Sequence, residues 1–115
     1  MKTMHGYAWR FRQSRSKEQD MPEVAVVAIF VAKPGKKDEL RKVLEANVEP
    51  TRKERGALQY DLHIDNDEPR RFIFVERWQS QDALDEHGKT AHIQVFRAKA
   101  PDLCEHGEVR RATKI

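Results

Sequence analysis

The sequence predicts an α+β domain of the ferredoxin-like class, in the order β-α-β-β-α-β, with four antiparallel strands in one sheet and both helices on a single face. Three observations carry this. Residues 24–32, VAVVAIFVA, and the FIFV centre of residues 70–79 are unbroken apolar runs rich in β-branched and aromatic residues, as strands buried on both faces are. Two intervening stretches repeat their apolar residues at helical spacing. Prolines and glycines stand at the joins.

After the first strand, Pro34 and Gly35 turn the chain. From Lys36 the apolar stripe Leu40, Val43, Leu44 and Val48 marks a helix, with Lys37, Glu39, Arg41 and Lys42 mostly outside the stripe. Pro50 lacks a backbone donor, so a kink or a second short segment is expected there. Gly56 is expected to close the element as a C-terminal glycine. Residues 57–65 then alternate as a strand, with Leu58, Tyr60 and Leu62 on one side and Gln59, Asp61 and His63 on the other. NDEP makes a turn into the third strand, 70–79. Ser80 is placed to cap a short helix through Ala83, Leu84 and His87, ended by Gly88. Thr90 is placed to cap a second segment with Ile93, Val95 and Phe96, stopped by Pro101. Residues 103–113 form the last, weaker strand.

Two strands apolar on both faces pose a problem, because helices cover only one side of the sheet. The expected solution is a homodimer, sheet against sheet, which uses the same patch twice.

Composition narrows the function classes. The chain has 115 residues and one cysteine, Cys104, which excludes an internal disulfide framework and a cysteine-rich zinc site. No apolar run approaches bilayer length, and the N-terminus lacks a signal-like apolar middle, so no membrane partner and a cytoplasmic location are expected. The net charge of +3 belongs to the first twenty residues, where Lys2, Arg10, Arg12, Arg15 and Lys17 meet only Glu18 and Asp20. The rest is formally neutral and offers no electrostatic footprint for nucleic acid. Residues 1–22 are expected to be a disordered basic leader and 23–115 the folded domain. The alternation of Tyr7, Trp9 and Phe11 with Arg10 and Arg12 also suits a base-stacking arm.

Several side chains carry chemistry. Phe74, Glu76 and Trp78 share one face of the third strand. Glu76 on an apolar face needs a partner, as a structural ion pair with a His or Arg or as a base raised by burial. His87 and His92 are five apart, about 140° around a continuous helix, where they would not share a face as a ligand pair; the break expected at Gly88 leaves their separation open. No further Cys or His lies nearby, and no metal is expected. His87 reads either as a proton acceptor or as a half-buried residue fixing its helix against Glu76.

The segments VVAIFVAKPGKKDEL, ERGALQYDLHIDNDEPRRFIFVERW and SQDALDEHGKTAHIQVF resemble the antibiotic biosynthesis monooxygenase family of the dimeric α/β barrel superfamily. Gly56 with Leu58 and Tyr60, Glu76 with Trp78, and the run from Ala83 through His87 and Thr90 to His92 carry the likeness. It covers nearly all of residues 23–113. Gly88, Ala91 and Ile93 depart from the usual residues and bear on local helix geometry and pocket shape. The resemblance implies cofactor-independent insertion of oxygen from O2 into an electron-rich aromatic, a quinol or anthrone-like phenol. It implies a pocket between sheet and helices, with His87, Glu76 and Tyr60 as catalytic groups and Trp78, Phe74, His92 and Phe96 as substrate-binding walls. Two other functions stay open on the same fold: isomerisation of a phosphorylated autoinducer-type sugar, and ligand binding without turnover. Haem is not expected, because Phe96 and Arg97 stand where a ring-ligating histidine is needed.

Overall fold

The computed structural model describes residues 22–115; the basic leader assigned to 1–22 lies, but for its last residue, outside them. Four strands form one sheet: β1 (Val24–Ala32), β2 (Ala57–Ile64), β3 (Arg71–Trp78) and β4 (Cys104–Ala112). Their order is β2-β3-β1-β4, with every neighbouring pair antiparallel. The two apolar runs are therefore the two central strands, whose backbone groups pair on both sides. The helices are α1 (Lys37–Glu45), α2 (Val48–Arg52), α3 (Gln81–Gly88) and α4 (Ala91–Leu103). Each expected helix is thus two, which keeps the ferredoxin-like order. No helix among the described residues is long and apolar enough to cross a membrane.

Local chemistry explains most boundaries. Pro50 sits in the first turn of α2, where a missing backbone donor would have no helical acceptor. Ser80 Oγ accepts from the Ala83 N–H at 3.1 Å and starts α3. Thr90 stands at the N-cap of α4, but its hydroxyl donates instead to the His87 carbonyl at 2.8 Å, tying α4 back to α3.

Three expectations are corrected. Pro101 does not stop α4, which continues to Leu103; a proline in the last turn forfeits a single bond. Gly56 is not a left-handed helix cap, since Gly35 alone among the described residues has positive φ. A Cβ on Gly56 would instead lie 2.2 Å from that of Ala83, so glycine lets the turn before β2 press against α3. Finally, Leu58 does not share the face of Tyr60. The β2–β3 register shifts between Ala57 and Gln59, and this irregularity leaves Leu58 43% exposed.

The core lies between sheet and helices. Val26, Ala28, Phe72, Phe74 and Trp78 of the sheet meet Leu40 and Leu44 of α1 and Phe96 and Leu103 of α4. Phe30 and Phe96 touch edge to face, with ring centres 5.0 Å apart. The opposite face is apolar but open in the single chain: Val27 is 41% and Val75 36% exposed, beside half-buried Ile29 and Ile73.

Candidate functional site

A cleft of about 1060 Å³ opens on the helix side of the sheet. Strand alternation supplies its floor: Val26, Ala28 and Phe30 from β1, Phe74 and Glu76 from β3, and Tyr60 from β2. Helices α3 and α4 supply Leu84, His87, Ile93, Phe96 and Arg97 as its wall. The lining is mostly apolar, as ligand sites usually are, with a few polar groups aimed inward.

Glu76 is one of them. Register places it opposite Tyr60 and Val26, and it is only 5% exposed. Its Oε1 accepts from Trp78 Nε1 at 2.8 Å, across two residues of the same strand face. Burial pushes its carboxyl up to about 7, with the Glu54 charge adding to the rise and the Trp78 bond opposing it. Glu76 thus exchanges its proton near neutrality. Neither expected partner, His nor Arg, binds it.

His87 has a different partner. Its Nδ1 lies 2.8 Å from Glu54 Oε2, and the same oxygen lies 2.8 Å from His92 Nε2. A carboxylate oxygen only accepts, so the network assigns a proton to each of those two nitrogens. His92 Nε2 is further enclosed by the hydroxyls of Thr51 at 3.2 Å and Thr90 at 3.3 Å. Burial holds His87 below its ordinary value, against the Glu54 bond and charge, which act the other way. The neutral ring leaves Nε2 as a lone pair. No described group bonds that nitrogen, and it is not sealed from the cleft that His87 lines.

Tyr60 stacks on Phe74 with ring centres 4.5 Å apart and touches His87 edge-on at 5.6 Å. Burial first, then the charges of Glu76 and Glu54, keep its phenol protonated well above the ordinary range, against a Thr51 hydrogen bond.

Of the seven residues singled out in the sequence, Tyr60, Phe74, Glu76, His87 and Phe96 line the cleft. Trp78 and His92 do not. Trp78 is fully buried beneath the His87 ring, 4.6 Å centre to centre, and serves as core and as donor to Glu76. His92 stands behind His87, on the far side of Glu54.

The break expected at Gly88 is present, and it settles the distance between the two histidines. Gly88 ends α3, Lys89 and Thr90 turn the chain, and both rings converge on Glu54. Glu54, His87 and His92 are a set of side chains able to share a cation, with ligand atoms all within 4.8 Å of one another.

The sequence reading missed Glu54 and Asn47. Glu54 lies in the α2–β2 turn, fixed by its N–H to the Thr51 carbonyl and by its own carbonyl to the Ala57 N–H. A turn glutamate has no periodicity to single it out; the close approach at Gly56 is what brings it to α3. Asn47, between α1 and α2, is 4% exposed, lines the cleft and makes no side-chain hydrogen bond among the described residues. A buried asparagine between two amphipathic segments was the available signal.

The cleft mouth is mixed in charge. Lys89, Arg97 and Arg111 are matched by Asp85, Glu105 and Glu108. Arg97 is further held by the Gly88 carbonyl at 2.9 Å.

Comparison with known proteins agrees with this fold. The profile of the antibiotic biosynthesis monooxygenase family matches residues 23–99. Rv0793 of Mycobacterium tuberculosis, which carries a provisional monooxygenase name, is 40% identical over 80 residues, covering 70% of this chain and 78% of the relative. The sll1783 protein of Synechocystis is 35% identical over 80 residues, again 70% of this chain, but the match spans only 54% of that relative's length. Among solved structures, PA3566 of Pseudomonas aeruginosa superposes with a TM-score of 0.79 at 31% identity, covering 82% of this chain and 95% of that one. The solved structure of Rv0793 gives 0.77 at 34% identity, covering 81% and 95%.

Proposed function

From the premise that this chain belongs to the antibiotic biosynthesis monooxygenase family, we propose that it oxidises an electron-rich aromatic, a quinol or anthrone-like phenol, with O2 inside the cleft. The observation that carries this reading is the pairing of a mostly apolar cleft with the His87 imidazole that lines it, whose Nδ1 is held by Glu54 and whose Nε2 no described group bonds.

The chemistry asks little more of a protein. Dioxygen is a ground-state triplet and reacts slowly with closed-shell molecules unless one electron is transferred first. A phenolate or quinol anion transfers it. One oxygen atom enters the substrate and the other leaves as water, so the substrate itself provides all four electrons. His87 Nε2 takes the phenolic proton, with Glu54 holding the ring in that orientation. Tyr60 and Asn47 donate hydrogen bonds to the anionic oxygen. Glu76 holds or releases a proton beside them, and Phe74 and Phe96 pack the aromatic rings.

Oxygen uptake with menadiol tests this, against a protein-free blank for autoxidation. Uptake well above the blank, lost in His87→Ala, is expected. Uptake no faster than the blank overturns the reading and leaves ligand binding without turnover. The isomerase alternative needs a concentrated cationic cradle, and the balanced cleft mouth gives it no support.

The protein acts as a homodimer in this reading. Val27, Ile29, Ile73 and Val75 form the face that a second sheet would cover. Sedimentation showing a stable monomer in dilute solution would remove the dimer.

A further inference from the structure

We infer that Glu54, His87 and His92 form a binding site for a divalent transition-metal ion of the zinc type, placed behind His87 rather than in the cleft. The inference is independent of any turnover. Its basis is the meeting of three ligand side chains from three separate elements: the α2–β2 turn, α3 and the first turn of α4.

The donor set is two imidazoles and one carboxylate, a combination suited to borderline ions such as Zn2+ or Co2+ and poorly suited to Mg2+ or Ca2+. The geometry is close to what such an ion needs. Ligands about 2.0 to 2.1 Å from zinc in a tetrahedron lie about 3.3 Å from one another. Here Oε2 is 2.8 Å from each nitrogen, and all three atoms fall within 4.8 Å. Glu54 must withdraw by about half an ångström to admit the ion, and the two nitrogens, which lie within 4.8 Å of each other, must close toward about 3.3 Å. It is a partly exposed turn residue, and its other oxygen makes no hydrogen bond among the described residues. The Thr51 and Thr90 hydroxyls stand 3.2 and 3.3 Å from His92 Nε2, the ligand atom itself, and give up those contacts when it binds the ion. Without an ion the two N–H donors satisfy Glu54, so the site is preformed and does not depend on metal to fold.

Occupancy has a consequence in the cleft. A metal on His87 Nδ1 takes the place of the proton there, and the neutral ring then carries its proton on Nε2. His87 Nε2 thereby changes from acceptor to donor. If His87 is the base proposed above, the ion is an inhibitor; the binding site itself does not rest on that role.

The test is titration of the chelator-treated full-length chain with CoCl2 and ZnCl2. A cobalt d–d absorption band saturating at one ion per chain is expected, displaced by zinc. His92→Ala and Glu54→Gln should weaken binding at least tenfold, whereas His63→Ala and His106→Ala should not. Zinc-edge anomalous scattering from wild-type crystals keeps the inference falsifiable should those variants misfold. A peak between Glu54, His87 and His92 supports it; a peak elsewhere, or none at saturating zinc, overturns it. Should zinc bind there and menadiol oxidation be unaffected, the site stands and the role of His87 as base falls.

Discussion

Two carboxylates, one in the cleft floor and one behind His87, are partnered in opposite ways. Glu76, on a central strand, has one neutral donor, the Trp78 indole, at 2.8 Å. Glu54, in a turn, has two imidazole N–H donors at 2.8 Å each on a single oxygen. The strand delivers a carboxyl by alternation into a place where burial dominates, and its proton affinity rises to about 7. The turn delivers a carboxylate by close approach of two backbones, where it orients two rings. One carboxyl is held protonated toward neutrality by burial, and the other is tied to two rings.

The largest effect should come from breaking the turn's approach. Gly56→Ala puts a methyl group against Ala83 and must separate the Glu54 turn from α3. A loss of about 3 kcal/mol or more in chemical denaturation is expected, with both histidine contacts to Glu54 lost while the Glu76–Trp78 bond survives.

Glu76→Gln addresses the other carboxyl and should stabilise rather than destabilise. The folded-state value, about 7, lies above the ordinary 4.5, so the native state holds its proton longer than the unfolded chain. Stability is therefore complete below about pH 4.5 and falls as pH rises through about 7, the reverse of a salt-bridged acid. The glutamine variant removes that fall and gains about 2 kcal/mol at pH 8, with no gain at pH 4. Equal stability of the two proteins at pH 8 would mean that Glu76 is better solvated than its position implies.

A smaller change sharpens the contrast. Trp78→Phe keeps most of the packing and removes the one donor to Glu76. Glu76 should then titrate at still higher pH in carboxyl NMR, with a stability cost of about 1 kcal/mol for the lost hydrogen bond.

Much of this was legible in the chain. Continuous apolar runs announced the two central strands, and alternation put Phe74, Glu76 and Trp78 on one face, where they are. Ser80 announced the start of α3. The errors fall where local pattern and packing diverge. Leu58 alternates correctly in sequence and is turned outward by a register shift that no composition signals. Pro101 should break a helix, but the last turn tolerates it. Trp78 was expected at the pocket wall and is covered by the His87 ring.

By itself, then, the sequence determined the order of elements, the central strands and the face they bury, because those follow from periodicities of two and 3.6, while the family came from the likeness of its segments. The tertiary structure alone decided that Glu54 binds both histidines, that Asn47 reaches the cleft and that Trp78 does not. Those contacts join residues far apart in the chain, through a turn held by backbone bonds and a glycine with no room for a side chain. Nothing in their local spacing encodes the meeting.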